Sequence, residues 1–90
     1  MVEGPIEKEK VGEVTHYFTD ISVGVIELSS ELEVENKISI EGSTTNIQQV
    51  VESMQIEHED VEKAGPGDAV GIKVKDRVRE GDIVYRIKNE

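Results

Sequence analysis

The chain has no cysteine and no tryptophan, and only three aromatic residues, Tyr17, Phe18 and Tyr85. Without cysteine there is neither a disulfide nor a thiolate metal cage to support the fold. This fits a reducing cytoplasm, the compartment we expect. With so few rings, the core must be aliphatic. Leucine and alanine are scarce as well, at two residues each. No apolar run approaches the roughly 20 residues that a membrane-spanning helix needs, so no membrane role is expected. The opening MVEGPIEKEK lacks the apolar stretch of a signal peptide.

What the chain does have is 13 valines and 10 isoleucines in 90 residues. Side chains branched at Cβ are stiff at χ1 and suit a pleated surface better than a helix. The expected class is therefore all-β, and the length is that of one domain. A domain this small buries only about 60–65% of its unfolded surface, so its stability depends on good packing. Acidic residues outnumber basic ones by 20 to 10, for a formal net charge of −10. Such a chain repels nucleic acid at long range, since affinity for phosphate needs cations that release counterions. Direct nucleic-acid binding is accordingly expected to be weak. The charge is uneven: residues 1–50 hold 10 acids and 3 bases, whereas residues 51–90 hold 10 acids and 7 bases. Any cationic face must come from the second half.

Turn signals divide the chain into short extended runs. Residues 1–10 are polar and read as a flexible lead-in, because termini order only when tied down. Residues 11–90 read as one domain of six strands, at 11–18, 21–28, 37–41, 47–57, 69–75 and 83–87. Gly24 interrupts the second run, which suggests a bulge or a close backbone approach, and the change of apolar face after Val25 favours the bulge. His58 to Lys63 reads as a charged connector. Gly65-Pro66-Gly67-Asp68 is the strongest turn signal, and Glu80-Gly81-Asp82 is another. Gly67 and Gly81 can take positive φ without steric cost, and Asp68 and Asp82 can hydrogen-bond nearby backbone, so all four read as structural turn residues. Six strands leave little material for two stacked sheets. Closure into a barrel would remove exposed edges, and a small closed six-stranded β-barrel is the expected architecture.

The order from Val51 to Asp82 resembles domain 2 of elongation factor Tu and elongation factor 1-alpha. VESMQIEH is followed by an acidic connector, Ala64, the Gly67-Asp68 turn, the strand VGIKV, and the Gly81-Asp82 turn. VGEV at Val11 to Val14 and LEVENKISIEG at Leu32 to Gly42 match more loosely. The resemblance implies a translation-factor type of barrel. Two departures stand out. Val34-Glu35-Asn36 replaces the family's Val-Gly-Asp, and Glu is poor at positive φ, so that turn should differ. There is also no GxxxxGK[ST] phosphate loop, so GTP is not an expected ligand.

No constellation of residues points to catalysis. Glu57-His58-Glu59-Asp60 offers one imidazole and several carboxylates, but neighbours on an extended chain point to opposite sides, so a solvated connector is the better reading. Ser29, Ser30, Ser43 and Ser53 lie in no GxSxG elbow. We expect no catalytic residue, no metal and no cofactor. Lys73, Lys75, Arg77 and Arg79 recur at every second residue, which on an extended chain puts all four on one side. This strip is the candidate interaction surface, diluted by Asp76 and Glu80. It carries no aromatic for base stacking. The plainer reading, which the spacing favours, is an exposed face on which lysine discourages edge pairing.

The expected function is a non-catalytic binding module that docks a protein or ribonucleoprotein, linked to translation or RNA maturation. The alternative is an accessory, substrate-positioning part of an enzyme such as a U32-peptidase-like protein, because domains resembling this barrel occur at the C-terminus of some of those enzymes.

Overall fold

The computed structural model describes residues 7–88. Ten strands follow in order: β1 Glu7–Phe18, β2 Val23–Leu28, β3 Leu32–Glu33, β4 Lys37–Glu41, β5 Asn46–Val50, β6 Met54–Ile56, β7 Glu59–Val61, β8 Lys63–Ala64, β9 Ala69–Lys73 and β10 Ile83–Lys88. There is no helix among the described residues. The domain is all-β, as the excess of Val and Ile requires.

Eight strands form one antiparallel sheet in the order β5-β4-β10-β1-β2-β9-β6-β7, and β3 pairs with β8 in a second, two-stranded sheet. The expected closed barrel is not found: backbone pairing leaves β5 at one end of the sheet and β7 at the other. The six expected strands also become ten. The run 47–57 splits into β5 and β6 because Val51 is buried while Glu52 and Ser53 turn outward. The expected connector after His58 is instead the second arm of a hairpin, with Met54 opposite Val61 and Ile56 opposite Glu59. Glu57 and His58 form its tip at φ 51° and 70°. Neither is a usual residue for such a turn, which hides the hairpin in the sequence.

β1 starts at Glu7, so residues 7–10 of the expected lead-in belong to the sheet. Residues 1–6 lie outside the described residues. β1 is the central strand, pairing with β10 on one side and β2 on the other. The bulge expected at Gly24 lies in its partner strand: the register shifts between Val14 and His16 of β1, while β2 keeps simple alternation, with Gly24, Ile26 and Leu28 buried. Gly24 faces inward because Val78 packs over it, 3.3 Å from where a Cβ would stand. Gly12 sits where β1 meets both neighbours, and a Cβ there would lie 2.6 Å from the Glu27 carbonyl oxygen. The strands can approach this closely only because residue 12 has no side chain.

The core is aliphatic. Val11, Val14, Ile26, Ile38, Ile40, Met54, Val70, Ile72 and Val84 are essentially fully buried. Burying each Val or Ile stabilises by roughly 1.5–3 kcal/mol before chain entropy is counted. Ser39 is buried too, and its hydroxyl donates to Glu41 Oε2 at 2.8 Å. Lys8 reaches the same carboxylate oxygen at 2.6 Å and lies 5.0 Å from the Tyr85 ring centre. The hydrogen bonds from Lys8 and Ser39 hold the Glu41 carboxyl below its ordinary pKa.

Gly67 and Gly81 take φ of 91° and 93°. Asp68 Oδ2 accepts the Gly65 N–H at 2.9 Å, and Asp82 Oδ2 accepts the Arg79 N–H at 2.8 Å. Each aspartate thus bonds backbone three residues before it. The Val34-Glu35-Asn36 turn puts Glu35 itself at φ 82°, with Asn36 Oδ1 accepting the Glu33 N–H at 2.9 Å. That cap and the Glu35 N–H bond to the Val51 carbonyl, 2.7 Å, hold glutamate in a conformation it does not favour.

Candidate binding seam

The free edge of β5, at one end of the sheet, positions the candidate site. β9 ends at Lys73, and the chain bends at Lys75 and Asp76 before reaching β10. The 73–79 segment is pinned on one side by the β1–β2 hairpin. Val74 N–H donates to the Ser22 carbonyl at 2.9 Å, and Gly81 N–H donates to the Val14 carbonyl at 2.8 Å. Val74 and Val78 point inward and are buried. On its other side the segment faces β5, and the link is a side chain. Gln49 Nε2 donates to the Lys73 carbonyl at 2.9 Å, and Gln49 Oε1 accepts the Lys75 N–H at 2.9 Å. One carboxamide therefore offers the donor and acceptor that a neighbouring strand would have supplied.

Two shallow depressions flank this bridge. One, of about 320 Å³, is lined by Gln49, Val50, Glu52, Ser53, Lys73 and Lys75, with Val74 at its floor. The other, of about 380 Å³, is lined by Thr44, Thr45, Asn46 and Ile47 on one wall and Asp76, Arg77 and Arg79 on the other. The start of β5 thus faces Arg77 and Arg79, and its end faces Lys73 and Lys75. The 73–79 segment runs antiparallel to β5 with a trough between them.

All four basic residues of the strip are exposed. They are gathered along one trough, though a bend at Lys75 and Asp76 replaces the straight strand assumed from their spacing. None of the four forms an ion pair with a described residue, whereas Lys8, Lys63 and Arg86 are paired with Glu41, Glu33 and Glu9. The two acids expected to dilute the strip are partly engaged elsewhere. Glu80 Oε2 lies 3.4 Å from His16 Nδ1, and Asp76 Oδ1 accepts the Arg77 N–H at 2.8 Å. Each depression has two cations and one carboxylate in its lining, the reverse of the chain's overall balance.

Sequence reasoning missed Gln49 and Val50. Val50 is 46% exposed and stands in the first depression between the lysines and Ser53. Nothing local in Gln48-Gln49-Val50 marks it, since its partners lie more than 20 residues away. A second exposed apolar group, Phe18 and Ile21, caps the β1–β2 hairpin, with the His16 ring edge-on to Phe18 at 4.4 Å.

Neither histidine hydrogen-bonds a serine among the described residues. Ser30 Oγ donates to Glu9 at 3.4 Å, and Ser53 stands on the trough wall. Asp60 accepts from Gln55 Nε2 at 3.0 Å. Among the described residues no three His, Asp or Glu side chains converge as metal ligands would.

No protein-family model matches the chain. It is 45% identical over 82 residues to an uncharacterised protease of Methanocaldococcus jannaschii, and 40% identical over 82 residues to a collagenase of Porphyromonas gingivalis. These alignments take in 90% and 89% of the chain but only 20% and 23% of those proteins, so it spans about a fifth of the length of the curated relatives it matches. Its fold is that of the C-terminal domain of a Geobacillus thermoleovorans U32 peptidase. The TM-score is 0.82 at 21% identity, covering 90% of this chain and 93% of that one. A selenomethionine form of the same domain gives 0.81. These likenesses correct the elongation-factor resemblance, and the expected translation link falls with it. Gly-Asp turns between short Val/Ile strands fix where a chain reverses, and they leave strand order and closure open. They could not separate one small antiparallel fold from another.

Proposed function

We infer that the chain acts as a non-catalytic accessory domain of a U32-peptidase-like protein, positioning a polypeptide through the trough between β5 and residues 73–79. The relatives it matches are a protease and collagenases several times its length. A segment that makes up about a fifth of such a protein, without a nucleophile–base pair among its described residues, is suited to holding a substrate for chemistry performed elsewhere. The single observation carrying the reading is the row of cations, unpaired among the described residues, beside exposed Val50 in an otherwise acidic domain. A surface kept for solubility alone would need no such local inversion of sign.

The test has two arms. Alone, the chain should cleave neither fluorescent gelatin nor casein. Removing the corresponding segment from a peptidase that carries it should raise KM for a long polypeptide while leaving kcat on a short peptide unchanged, the signature of lost uniform binding. Turnover by the isolated chain, or a fall in kcat alone, contradicts the reading.

A further inference from the structure

We propose that the trough binds an extended, acidic polypeptide segment lying along the 73–79 wall, with carboxylates on Lys73, Lys75, Arg77 and Arg79 and an apolar side chain against Val50. This rests on the accessory-domain reading for its biological setting, and on the geometry of the seam for its chemistry.

The trough lies between β5, one end strand of the sheet, and the segment that follows β9. Between β5 and the 73–79 segment the hydrogen bonds are made by the Gln49 carboxamide, through Lys73 O and Lys75 N. Beyond that bridge the two walls stand apart and leave the two depressions. An extended peptide presents alternate side chains to one side every 6.6–6.8 Å or so, and the wall carries a cation at every second position from Lys73 to Arg79. Carboxylates at every second peptide residue therefore match lysines at every second wall residue. Arg77 and Arg79 continue the wall, and guanidinium groups take carboxylates in bidentate geometry. The opposite wall is uncharged and polar at Thr44, Thr45 and Asn46. This end can hydrogen-bond a peptide backbone without repelling its acids; at the other end Glu52 lines the depression and leaves the lysine side to a carboxylate.

Charge also decides between a peptide and a nucleic acid. The chain carries 20 acids, and a strand of RNA brings one phosphate per nucleotide into that field. A peptide brings its few carboxylates only where the cations stand, and Val50 gives it an apolar contact that a sugar–phosphate backbone cannot use. With no aromatic lining either depression, bases gain no stacking platform.

The experiment measures anisotropy of labelled ligands titrated with the 90-residue chain. The probes are a peptide of about ten residues with Asp or Glu at alternate positions, the same peptide with Asn and Gln in their place, and a uridine oligonucleotide of the same length. The acidic peptide should bind, and its affinity should fall as salt shortens the Debye length. Lys73→Gln with Lys75→Gln should weaken it by about tenfold or more, the effect of removing charge-assisted contacts. Lys10→Gln with Lys63→Gln changes net charge equally on other strands and should shift affinity by less than about twofold. All four side chains are exposed, and circular dichroism confirms that each variant folds. Equal binding of the neutral peptide, tighter binding of the oligonucleotide, or equal effects of the two double variants would overturn the proposal. Peptide binding without any change in KM on removing the domain from a peptidase would sink the accessory-domain reading and leave the trough standing. The reverse pattern would do the opposite.

Discussion

Replacing Gln49 by alanine removes the only side chain that links β5 to the 73–79 segment by hydrogen bonds among the described residues. Two bonds of 2.9 Å are lost, one from Nε2 to the Lys73 carbonyl and one to Oε1 from the Lys75 amide. A neutral hydrogen bond contributes about 1 kcal/mol net, so the pair contributes about 2 kcal/mol. Freeing an ordered glutamine side chain returns on the order of 1 kcal/mol of rotamer entropy. The net cost of Gln49→Ala is therefore about 1 kcal/mol, which for a domain of this size lowers Tm by about 4–8 °C. Gln49→Glu separates the two bonds. Its carboxylate still accepts from the Lys75 amide but cannot donate to the Lys73 carbonyl. Urea denaturation should show a reduced midpoint at unchanged m-value. Amide hydrogen exchange should show the Lys75 N–H losing protection in Gln49→Ala and keeping it in Gln49→Glu. An alanine variant with unchanged Tm and an equally protected Lys75 amide would refute the view that one carboxamide holds the seam.

Other perturbations follow from the same structure. Glu57→Asn with His58→Gly places the preferred residues of a two-residue hairpin at φ 51° and 70°, and should raise Tm by about 4–8 °C through roughly 1 kcal/mol of relieved strain. A fall in Tm would mean that the Glu-His tip makes stabilising contacts of its own. Gly12→Ala drives a Cβ to within 2.6 Å of a carbonyl oxygen of β2, so calorimetry should record a loss of about 3 kcal/mol from overpacking. Gly65→Ala, with nothing within 4 Å of the added carbon, should leave Tm within about 2 °C. Glu41 has its pKa lowered by the Lys8 and Ser39 hydrogen bonds, so its contribution is present above the unfolded carboxylate pKa and is lost as pH falls through the folded one. Glu41→Gln should be less stable than the parent at pH 7, and the two stability curves should converge at acid pH. A constant gap between them would mean that the carboxylate charge is not what matters.

Local chemistry was legible in the sequence, and long-range assembly was not. Val70, Ile72 and Val74 alternate with Gly71 and Lys73, so β9 and its inward side could be read directly. Positive φ at Gly67 and Gly81 follows from glycine standing at a turn. The β6–β7 hairpin leaves no local signal because Glu57 and His58 adopt a conformation that their side chains oppose, and the pairing of Met54, Gln55 and Ile56 with Val61, Asp60 and Glu59 holds them there. Glycine inside a run signals a break, but Gly24 leaves a gap that Val78, 54 residues away, fills, and the bulge lies across from it in β1. Closure was expected because an open edge is a liability, yet a single glutamine amide bridges that edge, and such a bridge leaves no periodic trace. The same limit applies to the site. The spacing of Lys73, Lys75, Arg77 and Arg79 showed where the positive charge gathers. That β5 lies opposite, with Val50 exposed in the trough, depends on contacts far apart in the chain.

The most direct test of the seam as the binding face is a two-dimensional amide NMR titration of the chain with the acidic peptide. The account predicts shifts concentrated at Asn46, Gln49, Val50, Lys73, Lys75, Arg77 and Arg79, with the β6–β7 hairpin unmoved. Shifts centred on Phe18 and Ile21, or on Glu57 and His58, would place binding on another surface and contradict it.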